Sequence, residues 1–124
     1  MYQIFEIDPC DGVDFLALPE REISLETMFA LLGTSRAATR DTPQLDLLVW
    51  IDADGLHRGR DANAHACATL LDVFEAPFAA VCGPLLVTGG SWKQPSALDE
   101  TQAAEAYRYL FGAASADVPD LDRT

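Results

Sequence analysis

The side chains of this chain that could do chemistry are mostly carboxylates. Its 124 residues include 20 Asp and Glu, 8 Lys and Arg, 2 His and 3 Cys. Acid–base catalysis needs a carboxylate or a histidine whose pKa is shifted by apolar or charged neighbours. No carboxylate pair stands apart in such a setting, His57 follows a turn, and His65 lies on a predicted helix. We therefore expect no catalytic residue and a protein that is not an enzyme.

Two short patterns resemble metal sites but lack necessary ligands. Asp52 to Gly55 begins like a calcium loop, yet Asn63 stands where the loop needs its bidentate glutamate. His65 and Cys67 lack the second pair of His or Cys ligands that a structural zinc site uses. We expect a turn at the first pattern, no metal and no cofactor.

The segment from Gly83 to Gly90 has glycines at both ends. A phosphate-binding loop needs Gly-x4-Gly-Lys-Ser/Thr leading into a helix, whereas the residues between these glycines are mainly apolar and favour a strand. An enzyme or ligand-binding module built on this segment, with His57 or His65, is the alternative function.

Hydrophobic periodicity and turn residues predict a single α+β domain over residues 1–112, with a mixed, mainly antiparallel sheet of about four to six strands and about three helices. An N-terminal hairpin is expected from two runs of β-formers around a turn at Asp11-Gly12, and Leu45–Ile51 reads as a central strand. The remaining predicted strands are Leu56–Arg58, Phe78–Cys82 and Leu85–Thr88. Residues 34–43 read as an exposed loop, and residues 113–124 as an acidic, flexible tail.

Each predicted helix has a signal at its start. The first is capped by Ser24 and ends at Gly33, with an inward face of Leu25, Met28, Phe29 and Leu32. Asn63 caps the second, with an inward face of Cys67, Leu70, Leu71 and Phe74. The third opens at Leu98, with an inward face of Ala103, Ala106, Tyr107, Leu110 and Phe111.

Charge is the feature that bears most on function. The formal net charge is −12 and the isoelectric point is near 4.2, which disfavours binding to nucleic acid or anionic membranes. Residues 1–26 hold seven acids and one base, Arg21. Such a surface either keeps the protein soluble or attracts a basic protein partner. On the second interpretation the partner-binding residues are Asp8, Asp11, Asp14, Glu20, Glu22 and Glu26.

Three segments carry a resemblance to a known family: Leu47 to Ala66, Gly83 to Gly89, and Ile4 to Gly33. They contain an Asp-Gly-Leu turn, an Asn-x-x-Ala helix start and a Leu-rich helix that ends in Gly. The chain resembles an uncharacterised family of small acidic proteins encoded by phages, plasmids and integrated elements. The resemblance implies a mobile-element setting, in which an inhibitor of the anti-restriction or anti-CRISPR type, or a partial DNA mimic, is expected. The family offers no catalytic residue to carry over.

Compartment and assembly follow from weaker signals. The cysteine count is odd, the first residues lack a signal-peptide pattern, and no apolar run approaches the ~20 residues that span a bilayer. We expect a cytoplasmic protein with free thiols. A structural or assembly protein that works as a homodimer, formed through an edge strand at Tyr2–Ile7 or through Trp92, is a further alternative function.

Overall fold

The computed structural model describes residues 2–10, 12–42, 46–66 and 81–116. Several predictions lie outside these residues. They concern Asp11, Leu45, the inward face of the second helix (Cys67, Leu70, Leu71 and Phe74), the strand residues 78–80 and the tail residues 117–124. The side chains of Leu110 and Phe111, expected on the inward face of the third helix, also lie outside what the structure describes.

The architecture is an antiparallel sheet with helices on both faces, which confirms the α+β prediction. The strands are β1 (Tyr2–Asp8), β2 (Gly12–Leu18), β3 (Ala37–Asp41), β4 (Leu48–Asp52), β5 (Leu85–Gly90) and β6 (Pro95–Ser96). Their order is β2-β1-β5-β4-β3, with β6 paired to β5. The helices are α1 (Leu25–Leu32), α2, of which residues 64–66 are described, and α3 (Glu100–Ala116).

The ends of α1 follow the predicted signals. The Ser24 side chain accepts a hydrogen bond from the backbone N–H of Thr27, and Gly33 adopts the left-handed conformation with φ 72°. A serine oxygen satisfies one of the free N–H groups at a helix start, and glycine tolerates a positive φ. These two residues therefore fix the eight-residue length of α1.

The sheet has an apolar core on each face because successive strand residues point to opposite sides. Met28 and Leu32 of α1 pack on one face against Ile4, Trp50 and Leu86. Ala103 and Ala106 of α3 pack on the other face, in a cluster with these sheet residues: Phe5, Ile7, Val49, Ile51, Leu85 and Val87. We call these the α1 face and the α3 face.

Several local predictions are wrong. Residues 37–41 of the expected loop form β3, since they pair with all five residues of β4. Leu56–Arg58 lie in a turn instead of a strand, and Cys82 makes only an isolated bridge to Ala62. β1 lies between β2 and β5, so the expected edge strand Tyr2–Ile7 is internal.

Two predictions for the third helix also need correction. Tyr107 lies on the predicted inward face, with its ring centroid 6.2 Å from that of the buried Phe5, but its side chain remains 41% exposed. α3 extends through Ala116, so residues 113–116 of the expected flexible tail are helical. No helix in the described ranges combines the length and apolarity needed to cross a membrane.

Candidate functional site

The structure divides the predicted partner-binding acids into two groups. On the hairpin, Asp14 of β2 lies directly opposite Glu6 of β1, and Asp8 lies opposite Gly12. By strand alternation these side chains are all on the α1 face. Glu20, Glu22 and Glu26 lie beyond the other end of β2, around the start of α1. The two groups are separated by the rest of β2, in which the four steps from Asp14 to Leu18 span about 13 Å.

Four of these acids are exposed and take no part in an ion pair. Among the described residues, arginines pair with Asp52, Asp54 and Asp99, and with none of Asp14, Glu20, Glu22 and Glu26. The nearest base in sequence, Arg21, lies 4.0 Å from Asp99 and donates a hydrogen bond to Gln102. The negative charge of these four residues is therefore left facing solvent.

The second acidic group borders a groove at the start of α1. The groove is about 490 Å³ in volume. Its apolar lining residues are Leu18, Pro19 and Ile23, and its polar ones are Glu20, Glu22, Ser24, Thr27 and Gln94. It offers apolar surface flanked by two carboxylates. Glu26 stands in the first turn of α1, where the helix dipole favours a negative charge.

Asp14, of the first acidic group, is part of the edge strand β2. The side chains of β2 alternate between the two faces of the sheet, so Asp14 lies on the α1 face while Val13 and Phe15 lie on the α3 face. Val13 is 37% exposed and Phe15 47%. The Phe15 ring lies 4.7 Å from that of Phe5 and 6.1 Å from that of Tyr107, centroid to centroid. An aromatic patch thus adjoins the acidic hairpin.

A cluster of arginines at the opposite end of α1 contrasts with these acids. Arg58 and Arg60 donate hydrogen bonds to the same Oδ2 of Asp52, at 2.7 and 2.9 Å. The Asp52 side chain is fully buried, whereas Arg58 is 46% exposed. Arg60 also donates to the backbone carbonyl of Leu32 at 2.6 Å, at the carbonyl end of α1 where the dipole favours a cation.

Arg60 fits between two glycines. A Cβ on Gly83 would lie 2.8 Å from its Nε, and one on Gly33 would lie 3.3 Å from its Nη2. Both glycines also have positive φ, 94° and 72°. The arginine therefore joins the end of α1 to β4 and to the loop before β5, and the sequence provides the space for it.

The pKa of Asp52 is held below its ordinary value. Burial desolvates the carboxylate and raises the pKa, but hydrogen bonds from Arg60, from the backbone of Asp54 and from Thr34, together with the charge of Arg58, outweigh that effect. Asp52 is therefore an ionised, buried anchor of the fold. Its neighbours make it a structural group.

Asn63 forms a second buried junction. Its Nδ2 donates to the carbonyls of Ile7 and Gly83, at 2.8 and 2.9 Å, and its Oδ1 accepts from the N–H of Ala66 at 3.0 Å. The predicted cap of α2 is thereby confirmed. The two contacts of its amide were not predicted, because they join residues distant in sequence.

The structure does not bring together Gly83–Gly90, His57 and His65, the residues expected to serve an enzyme or ligand-binding module, in a common site. Residues 83–89 are buried, and Leu85–Gly90 form the central strand β5. His57 and His65 are both exposed, one in a turn and one in α2. The described residues contain no group of three or more His, Cys, Asp or Glu able to hold a metal ion. Cys82 is buried and Cys10 exposed, both as free thiols.

Sequence reasoning missed the Asp52–Arg60 cluster. The predicted turn is present, but the sequence does not show that Arg58, Arg60 and Thr34 surround the Asp52 carboxylate. The spacing of Arg58 and Arg60 after the turn was the available signal. Only the fold shows that both reach back to one carboxylate.

Comparisons with known proteins gave no match among protein-family models, curated proteins or solved structures. The resemblance to the mobile-element family therefore remains a prediction.

Proposed function

We propose that this chain is a non-enzymatic, acidic binding protein that occupies a basic surface of a nucleic-acid-handling protein. The observation that carries the proposal is the separation of charge. Four exposed carboxylates that form no ion pair among the described residues lie on β2 (Asp14) and around the start of α1 (Glu20, Glu22 and Glu26), while Arg58 and Arg60 are engaged by Asp52 at the other end of that helix. Complementary charge accelerates encounter and selects partners.

The setting proposed for this activity is the bacterial cytoplasm, with the gene carried by a mobile element. There the protein would inhibit a host-defence nuclease, of the restriction or CRISPR type, by filling the groove that binds DNA or RNA. The apolar surfaces beside the acids, at Phe15 and at Leu18 and Pro19, would then supply specificity that charge alone does not. No cofactor or metal takes part.

The test is capture of partners from a bacterial lysate by three forms of the tagged protein. The first form is unchanged, the second carries Asp14→Asn, Glu20→Gln and Glu22→Gln, and the third carries Asp41→Asn, Asp46→Asn and Glu105→Gln. All six residues are exposed, and each variant removes the same charge. Capture is carried out at low and at high salt, and mass spectrometry identifies the retained proteins.

We expect the unchanged and third forms to retain the same basic nucleic-acid-binding protein at low salt, and the second form to lose most of it. Retention should weaken at high salt because exposed charges are screened. Equal retention by all three forms, or capture that ignores salt, would contradict the proposal and leave the acidity a solubility device.

A further inference from the structure

The two edges of the sheet are protected to different degrees. β3 is five residues long and ends in two exposed charged residues, Arg40 and Asp41. β2 is seven residues long, has Asp14 as its single charged residue and contains neither proline nor lysine. Natural proteins protect edge strands with charges, prolines and bulges. β2 pairs with β1 residue for residue, without a bulge, and no other described strand pairs with it.

The side chains of β2 offer different chemistry on its two sides. Val13 and Phe15 are exposed on the α3 face, beside the ring of Tyr107. Asp14 is exposed on the α1 face, across from Glu6. A strand laid along this edge would meet apolar contacts on one side and a carboxylate on the other.

We infer that β2 accepts an extended, basic segment of the partner protein as an additional strand of the sheet. This inference rests on the proposed function and adds the mode of contact to it. Backbone hydrogen bonds would provide affinity, and alternating side chains would provide specificity. Basic residues of the segment would face Asp14, and apolar residues would cover Val13 and Phe15.

Charge selects this occupant over a second copy of the chain. Each copy carries a net charge of −12, and a pair of β2 strands would bring two copies of Asp14 to one edge. Like charges at close range repel, and charge repulsion is an effective barrier to a wrong partner. A basic segment meets attraction at the same place.

The test uses a synthetic peptide about nine residues long in which lysine alternates with valine, with both ends blocked, so that it spans β2. Successive N–H groups of an extended strand point to opposite edges. Two further peptides carry N-methyl groups on all lysines or on all valines. Whichever direction the bound peptide runs, either the lysine N–H groups or the valine N–H groups face β2, so only one of the two methylated peptides loses its hydrogen bonds to β2. Binding is followed through the amide resonances of the intact protein.

We expect the unmodified peptide to shift the resonances of Gly12–Leu18, and one methylated peptide to bind at least about tenfold more weakly because several backbone hydrogen bonds are lost. The other methylated peptide should keep most of the affinity. Equal binding by both, shifts confined to other residues, or no binding of the unmodified peptide would overturn strand addition. Equal, salt-dependent binding would overturn it while leaving the charge-based function standing.

A pair of variants supplies the matched control. Asp14→Lys should weaken the unmodified peptide severalfold, whereas Asp41→Lys on the other edge should leave it unchanged. Sedimentation of the free protein is run beside it. A dimer that Phe15→Lys converts to monomer would assign this edge to a second copy and overturn the proposed occupant.

Discussion

Single residues hold this fold together through a few buried polar contacts. Arg60 is the clearest case, because it donates to both Asp52 and the carbonyl of Leu32. We expect Arg60→Ala to lower the free energy of unfolding by about 2–4 kcal/mol, since it removes the main partner of a buried carboxylate. Arg58→Ala should cost about 1 kcal/mol or less, because that side chain is half exposed. Urea denaturation of both variants measures the difference, and equal losses would contradict the assignment.

The lowered pKa of Asp52 predicts how stability depends on pH. A carboxylate whose folded-state pKa lies below its unfolded value of 3.8 adds stability above that value and loses it as pH falls through the folded pKa. The difference in unfolding free energy between the wild type and Asp52→Asn should be constant near neutral pH and shrink below about pH 4. Urea titrations at several pH values check this. A difference that does not change with pH would exclude an ionised Asp52 as the source.

Elements are joined by residues that act at their ends, and Asn63 joins three of them. Its side chain binds the end of β1, the loop before β5 and the first turn of α2. Asn63→Ala should destabilise the protein by at least about 2–3 kcal/mol, since two buried carbonyls lose their donor. Ser24→Ala, at an exposed cap, should cost about 1 kcal/mol. Thermal and urea unfolding compare them, and similar costs would show that the junction contributes no more than an ordinary cap.

The predictability of the elements depended on how local their signals are. The hairpin, α1 and β5 were found because caps, glycines and periodicity lie within each segment. β3 was missed because Ala37–Asp41 has no alternation of its own and is a strand only through pairing with β4. The contacts of Arg60 with Asp52 and Leu32 were also missed, because they too depend on how separate elements pack. For the acids, the sequence predicted their exposure and sign but not their division into two groups.

At the scale of the whole molecule, part of the net charge of −12 has no stabilising role in the fold. Since Asp14, Glu20 and Glu22 make no ion pair within the described part of the chain, neutralising all three should leave stability unchanged or raise it slightly, by reducing self-repulsion. Adding salt should stabilise the wild type more than this variant, as screening removes the repulsion. Melting temperatures across a salt series test this. A clear loss of stability in the variant would mean that these acids serve the fold.

The central claim is that the acidic side takes the place of nucleic acid on a basic partner. The most direct measurement is competition: the captured partner is bound to labelled duplex DNA, and the protein is titrated in while fluorescence anisotropy is recorded. We predict displacement of the DNA by the wild type and by the Asp41/Asp46/Glu105 control variant, and failure of displacement by the Asp14/Glu20/Glu22 variant. Simultaneous binding of DNA and protein, with anisotropy rising instead of falling, would contradict the claim.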